Sequence, residues 1–206
     1  MDIEEFKKTP VMGIVRGIAE DKIAPLMEAV IHSGLKTIEI TMNTSGAPGL
    51  IGQALRAAGG KLTIGAGTVM TTNELHSALD AGASFIVSPV FVPHIVEACR
   101  HKSIPVFPGA FSPQEIYEAW EAGATMVKVF PAKMMGPDYI KEIKAPLNDI
   151  ELLACGGVNA KNVQTYLSSG ASAVAFGGSI FKKEWLLRGE FDLITQNIQE
   201  FLNAMK

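Results

Sequence analysis

Lys128 sits inside Thr125-Met126-Val127-Lys128-Val129-Phe130-Pro131, an apolar, β-prone run that ends at a proline. Side chains alternate along an extended strand, so Met126, Lys128 and Phe130 share one face while Val127 and Val129 share the other. A lysine among bulky apolar neighbours loses hydration, and burial disfavours an ammonium relative to the neutral amine. The neutral amine is the nucleophile that forms a Schiff base with a carbonyl. A second run, Leu35-Lys36-Thr37-Ile38-Glu39-Ile40-Thr41-Met42, divides differently. Ile38, Ile40 and Met42 form its greasy side and Thr37, Glu39 and Thr41 its polar side. If the greasy side faces covering helices, Glu39 points inward, and in a closed sheet it can meet Lys128.

The elements that must position these two residues follow a repeated pattern. β-prone runs fall at Val11 to Arg16, Thr37 to Met42, Leu62 to Ala66, Ser84 to Ser88, Pro105 to Phe107, Thr125 to Phe130, Glu151 to Cys155 and Ser172 to Phe176. Amphipathic helical stretches lie between them, including Lys22 to Ser33, Thr72 to Ala81, Pro93 to His101, Pro113 to Ala122 and Ala160 to Ser169. Gly34, Gly82, Gly123 and Gly170 serve as stop signals. Eight βα units predict an α/β fold, a (β/α)8 TIM barrel, as a single domain over residues 1–206 with a short helical lead-in. The competing architecture is a doubly wound open sheet. The inward polar face of Thr37, Glu39 and Thr41 suits a barrel lumen better than a helix-covered sheet face. The fold usually takes about 250 residues, so short loops are expected.

Composition removes several function classes. At 206 residues and 48% hydrophobic content the chain can bury one substantial core. Its formal net charge of -3 provides no basic field for nucleic acid or an anionic membrane, and no apolar run approaches the roughly 20 residues that span a bilayer. Cys99 and Cys155 follow no secretory segment, so a reducing cytoplasm is the expected location. His32, His76, His94 and His101 fall on expected outer helices without ligand spacing, and no metal is expected.

Other residues gather where strands end, the face at which barrel enzymes place their chemistry. They are Arg16, Asn43, Thr68, Pro89, Gly156-Gly157 and Gly177-Gly178-Ser179. The glycine pairs follow the seventh and eighth strands and lead toward expected helix starts. Side-chain-free N–H groups there suit a phosphate.

Together these motifs resemble the pyruvate-forming aldolases that cleave 2-keto-3-deoxy-6-phosphogluconate and 4-hydroxy-2-oxoglutarate. The resemblance runs through Ile38-Glu39-Ile40-Thr41, Gly65-Ala66-Gly67-Thr68-Val69, Phe85-Ile86-Val87-Ser88-Pro89, Pro108-Gly109, Val127 to Ala132, Gly156-Gly157-Val158 and Gly177-Gly178-Ser179. It implies a (β/α)8 barrel, a homotrimer, no cofactor, Lys128 as the Schiff-base lysine and Glu39 as the acid/base. It further implies Arg16, Thr68, Asn43 and Pro89 around the substrate carboxylate, and Gly156, Gly157, Gly177, Gly178 and Ser179 around the phosphate. The implied partners are a phosphorylated keto-deoxy sugar acid and pyruvate.

Two departures bear on specificity. Thr41-Met42-Asn43 stands where the phosphogluconate enzymes often read Thr-Leu-Arg, and the missing arginine leaves Arg16 to supply the charge. That combination also resembles the 2-keto-3-deoxy-6-phosphogalactonate aldolases. Cys155 replaces a frequent threonine before the first glycine pair. Simpler roles stand beside the functional ones: Lys128 snorkelling to solvent, Glu39 as a structural ion-pair partner, Arg16 bracing Glu39, and Thr68 and Ser179 as caps. A sugar-phosphate isomerase or epimerase, or a non-catalytic phosphometabolite-binding barrel, would share the fold without needing a Schiff base.

Overall fold

Phe6 plugs one end of a barrel whose other end is open. In the computed structural model, which describes residues 1–206, the chain begins α1 (Ile3–Lys8), β1 (Val11–Val15), α2 (Ile23–Ser33), β2 (Thr37–Thr41), α3 (Ala47–Ala58), β3 (Thr63–Gly67) and α4 (Thr72–Asp80). It continues through β4 (Ile86–Val87), α5 (Pro93–His101), β5 (Val106–Phe107), β6 (Gly109–Ala110), α6 (Pro113–Glu121), β7 (Val127–Val129) and α7 (Pro137–Lys144). It ends with β8 (Leu152–Cys155), α8 (Val163–Ser168), β9 (Ala173–Phe176), α9 (Lys183–Arg188) and α10 (Phe191–Asn203). No helix is long and apolar enough to cross a membrane.

The strands are ordered β5-β4-β3-β2-β1-β9-β8-β7-β6, all pairs parallel. Nine strands replace the expected eight because the fifth is interrupted at Pro108, which has no N–H for a ladder. The two halves nevertheless close the ring. Pro105 accepts from the Ile86 amide at 2.9 Å on one side, and Pro108 accepts from the Lys128 amide at 2.8 Å on the other. β4 and β7 are shorter than their β-prone runs, although residues at both ends of each run, Ser84 and Ser88, Thr125 and Phe130, still donate to carbonyls of neighbouring strands or of the segments that border them.

Alternation separates two cores. Val11, Ile38, Ile40, Ile64, Val127 and Val129 face outward into a layer shared with the helices, and Met12, Phe85, Phe107, Met126 and Leu153 fill the lumen. Phe6 of α1 enters the lumen from below, its ring edge-on to Phe107 at 6.1 Å, and Phe107 meets Phe85 edge-on at 5.8 Å. Asp2 caps α1 by accepting from the Glu5 amide, which fixes the plug's approach. The inner face of β3 is bare at Gly65 because the Phe85 ring takes that space; a Cβ there would sit 2.5 Å from it. On the outside, α2 stops at Gly34 in the left-handed conformation, as its spacing predicts, and α4 and α6 each start in a capping box.

Candidate active site

Above this apolar floor the lumen turns polar. Lys128 on β7 and Glu39 on β2 stand on opposite walls of the ring, with β1, β9 and β8 between them on one side. Lys128 is 6% exposed and Glu39 1%. Across the lumen Lys128 Nζ lies 3.9 Å from Glu39 Oε1, an ion-pair separation too long for a direct hydrogen bond. Glu39 Oε2 has no hydrogen-bond partner. Burial pushes the Glu39 carboxyl above the usual carboxylate range, against the opposing pull of the Lys128 and Arg16 charges. The pair therefore sets a lysine side chain beside a carboxyl of raised proton affinity, with an unused oxygen ready for a substrate hydroxyl or a water.

Cys155 lies beside them, 3% exposed. Burial raises its thiol above the ordinary value although the Lys128 charge opposes this, so the floor carries a neutral sulfur rather than a second anion. Cys99 is buried in the outer layer, distant in role from the lumen, and both thiols are free.

A cavity of about 670 Å³ opens over Lys128 at the C-terminal mouth. Its walls include Arg16 after β1, Thr68 after β3, Pro89 after β4, and the loops Gly156-Gly157 and Gly177-Gly178-Ser179 after β8 and β9. Thr68, on the cavity wall, has φ +56, an unusual conformation for a β-branched residue. Glu39's ion-pair partner is Lys128 rather than Arg16.

The glycine loops depart from expectation in one respect. The helices that follow them begin only at Val163 and Lys183, several residues later and six residues long each, so the loops themselves present the N–H groups. The amides of Gly157, Gly178 and Ser179 donate to no backbone acceptor. Ser179 Oγ donates to the Val158 carbonyl at 3.3 Å and ties the two loops together. Such unpaired N–H groups facing a cavity are anion ligands in waiting.

Asn43 does not join this group. It is exposed, outside the cavity lining, because the chain turns directly after β2 with the Thr44 amide donating to the Thr41 carbonyl at 2.9 Å. Thr44 is the residue that turns inward. Its Oγ1 lies 3.1 Å from Thr41 Oγ1 and accepts from the Gly17 amide at 3.0 Å, holding the loop that carries Arg16. Sequence reading also misses Lys133 and Lys183, two further cations on the cavity wall. The signal was available: both follow the Phe130-Pro131-Ala132 and Gly177-Gly178-Ser179 motifs within a few residues. Phe130, expected on the face of Lys128, does stand there, with Lys128 Nζ 5.5 Å from its ring centre. The four histidines lie apart on α2, α4 and α5, and no three His, Cys, Asp or Glu side chains gather as metal ligands.

Residues 3–197 match the family model described as KDPG and KHG aldolase. The chain belongs to this family. It is 34% identical to a probable 2-dehydro-3-deoxy-6-phosphogalactonate aldolase of Rhizobium meliloti, over 84% of this chain and 82% of that one. It is 32% identical to a 2-dehydro-3-deoxy-phosphogluconate aldolase of Haemophilus influenzae, over 99% and 96%. Among solved structures, a KDPG aldolase from Legionella pneumophila, with pyruvate captured as a covalent carbinolamine intermediate, superposes with TM-score 0.86 at 29% identity, covering 92% of both chains. Members of the family are carbon-carbon lyases, and this aldolase carries the barrel of its relatives.

Proposed function

We infer that the protein is a Schiff-base aldolase that cleaves 2-keto-3-deoxy-6-phosphogluconate to pyruvate and glyceraldehyde 3-phosphate. The observation that carries this reading is the buried pair of Lys128 and Glu39 across the lumen, directly under a cavity walled by cations and free amides. The Lys128 amine adds to the C2 ketone of the substrate, forming a carbinolamine. Loss of water, with a proton supplied by Glu39, leaves a protonated imine. Glu39, now a carboxylate, accepts the proton of the C4 hydroxyl directly or through a water. The C3–C4 bond electrons pass into the iminium, glyceraldehyde 3-phosphate departs, and the remaining enamine is protonated at C3 and hydrolysed to pyruvate. In this reading Arg16 and Thr68 bind the C1 carboxylate and the two glycine loops bind the phosphate; all of them line the cavity over Lys128.

The test is to incubate the protein with pyruvate and sodium borohydride, then measure intact mass and map the modified peptide. A single reduced pyruvyl adduct on Lys128, lost in Lys128→Ala, is the expected result. Folded protein without an adduct at saturating pyruvate sinks the aldolase reading and returns the isomerase and binding-module readings.

A second substrate reading is favoured by the similarity to the phosphogalactonate aldolase and by Arg16 standing without an arginine after β2. It makes the C4 epimer the substrate. Pyruvate release from the two epimers, compared as kcat/KM, decides between them; 4-hydroxy-2-oxoglutarate completes the series. We also propose a homotrimer, supported by large apolar side chains left exposed around one side of the mouth, Val90, Phe111, Met134 and Met135. Light scattering on the purified protein checks the stoichiometry. Free, buried thiols suit the cytoplasm we propose for it.

A further inference from the structure

The cavity is unbalanced in charge. Its lining carries Arg16, Lys128, Lys133 and Lys183 and no carboxylate; the nearest acid, Glu39, lies beneath it. Lys128 is committed to the chemistry and Arg16 stands on the β1 side. Lys133 and Lys183 remain, both exposed, and none of the chain's seven ion pairs includes either.

Lys133, in the segment after β7, packs on the loop after β8, and Lys183 follows the loop after β9. The Lys133 amide donates to the Gly156 carbonyl at 2.9 Å, and the Lys133 stem occupies the space that a Gly157 side chain would need, 2.4 Å from an ideal Cβ there. Lys183 follows the Gly177-Gly178-Ser179 turn, where the Phe181 amide donates to the Gly177 carbonyl at 2.9 Å. The two loops are joined by the Ser179 to Val158 hydrogen bond. Lys133, in the segment after β7, and Lys183, after β9, thus flank the two joined loops and line the same cavity.

We propose that Lys133 and Lys183 form a two-sided cationic jaw that sets this enzyme's preference for phosphorylated over unphosphorylated keto-acids. The proposal rests on the aldolase reading of the site. A phosphate dianion seated on the free amides of Gly157, Gly178 and Ser179 needs about two positive charges beside it in a partly enclosed cavity. Amides alone give it dipoles; the two ammonium groups give it neutrality. An acid without the phosphate leaves both lysines in water and gains nothing from them.

The test compares Lys133→Met, Lys183→Met and the double variant with wild type, using 2-keto-3-deoxy-6-phosphogluconate and 4-hydroxy-2-oxoglutarate. Each charge-assisted contact contributes roughly tenfold in affinity. The ratio of kcat/KM for the two acids is expected to fall about tenfold in each single variant and further in the double, through KM for the phosphorylated acid, and Lys→Arg at both positions restores it. A ratio that stays at its wild-type value, whether both activities fall or neither does, overturns the proposal. A second readout needs only the phosphorylated acid: its KM rises with salt in wild type, and the rise flattens in the double variant. Equal salt slopes also overturn the jaw. The pyruvate and borohydride adduct separates the two levels: wild type that forms it while failing these tests loses only the jaw, and wild type that forms none loses the aldolase reading with it.

Discussion

Gly67 makes room for Glu39: a Cβ at residue 67 would lie 2.6 Å from the Glu39 carboxyl carbon. The two are on adjacent strands, with Thr41 of β2 beside Gly67 of β3 in register. The carboxyl that faces Lys128 is therefore held in a slot cut by a missing side chain. Gly67→Ala should tilt the carboxyl without removing it. Since misplacing a reacting group by about 1 Å can cost 10²-fold, kcat is expected to fall by one to two orders of magnitude. The overpacking cost in stability is about 1–3 kcal/mol, visible in urea unfolding. A kcat within twofold of wild type shows that the slot does not set the carboxyl's position.

Glu39 also makes stability depend on pH in a defined direction. Burial raises its folded carboxyl above the ordinary value. Above the unfolded pKa, about 4.3, the folded state then binds more protons than the unfolded state, and stability contributed by this group declines as pH rises toward the folded pKa. Glu39→Gln removes that slope. The melting temperature of Glu39→Gln minus that of wild type should increase between pH 4 and pH 8, by roughly 2–4 °C for each kcal/mol involved. A difference that is flat or falls with pH contradicts the raised carboxyl.

Much of this was legible in the sequence, for identifiable reasons. The period-two pattern around Glu39 and Lys128 told which faces are inward, since a carboxyl and an amine among aliphatics have few other places to go. Eight β-prone runs gave the ring, and only the interruption at Pro108 escaped, because a proline between β-formers does not reveal that flanking carbonyls still bridge to both neighbours. Asn43 departs from its expected place for a local reason. Position along the chain put it at the mouth, but the turn after Thr41 sends Thr44 inward and Asn43 to solvent. Lys133 and Lys183 do not stand out in the sequence because surface lysines are common, and only the folded loops bring these two to one cavity. The Thr68 backbone conformation and the space between Gly67 and Glu39 depend on packing across strands, which no local pattern encodes.

Arg16 has no carboxylate partner in the protein and lines the cavity on the β1 side. If it clamps the pyruvyl carboxylate, its value lies in a planar, two-point contact that a lysine does not reproduce. Arg16→Lys should raise the pyruvate concentration for half-maximal borohydride trapping by about tenfold. An unchanged half-saturation assigns the carboxylate to Thr68 and the neighbouring loops alone.

The bottom of the barrel should behave as scaffold. Phe6 is 4% exposed and packs edge-on against Phe107, which in turn meets Phe85, in the apolar floor of the lumen. Phe6→Ala is expected to cost about 3–5 kcal/mol in unfolding free energy, with residual folded protein keeping its KM. A large KM change at unchanged stability would mean that the plug communicates with the mouth.

Gly157 tests the phosphate side of the cavity. Its φ is +90, a region costly for an L side chain, and its missing Cβ would meet the Lys133 Cβ, an atom near the backbone that cannot swing away. Gly157→Ala therefore pushes the loop after β8 away from the Lys133 backbone, displacing the Gly157 amide from its place in the cavity wall. Pyruvate has no phosphate and does not extend to this loop. KM for the phosphorylated acid should rise about tenfold or more, while the rate of borohydride trapping with pyruvate changes far less. Parallel losses in both measurements would place the damage at Lys128 rather than at the phosphate, since only a disturbed floor affects a substrate that ends at its third carbon.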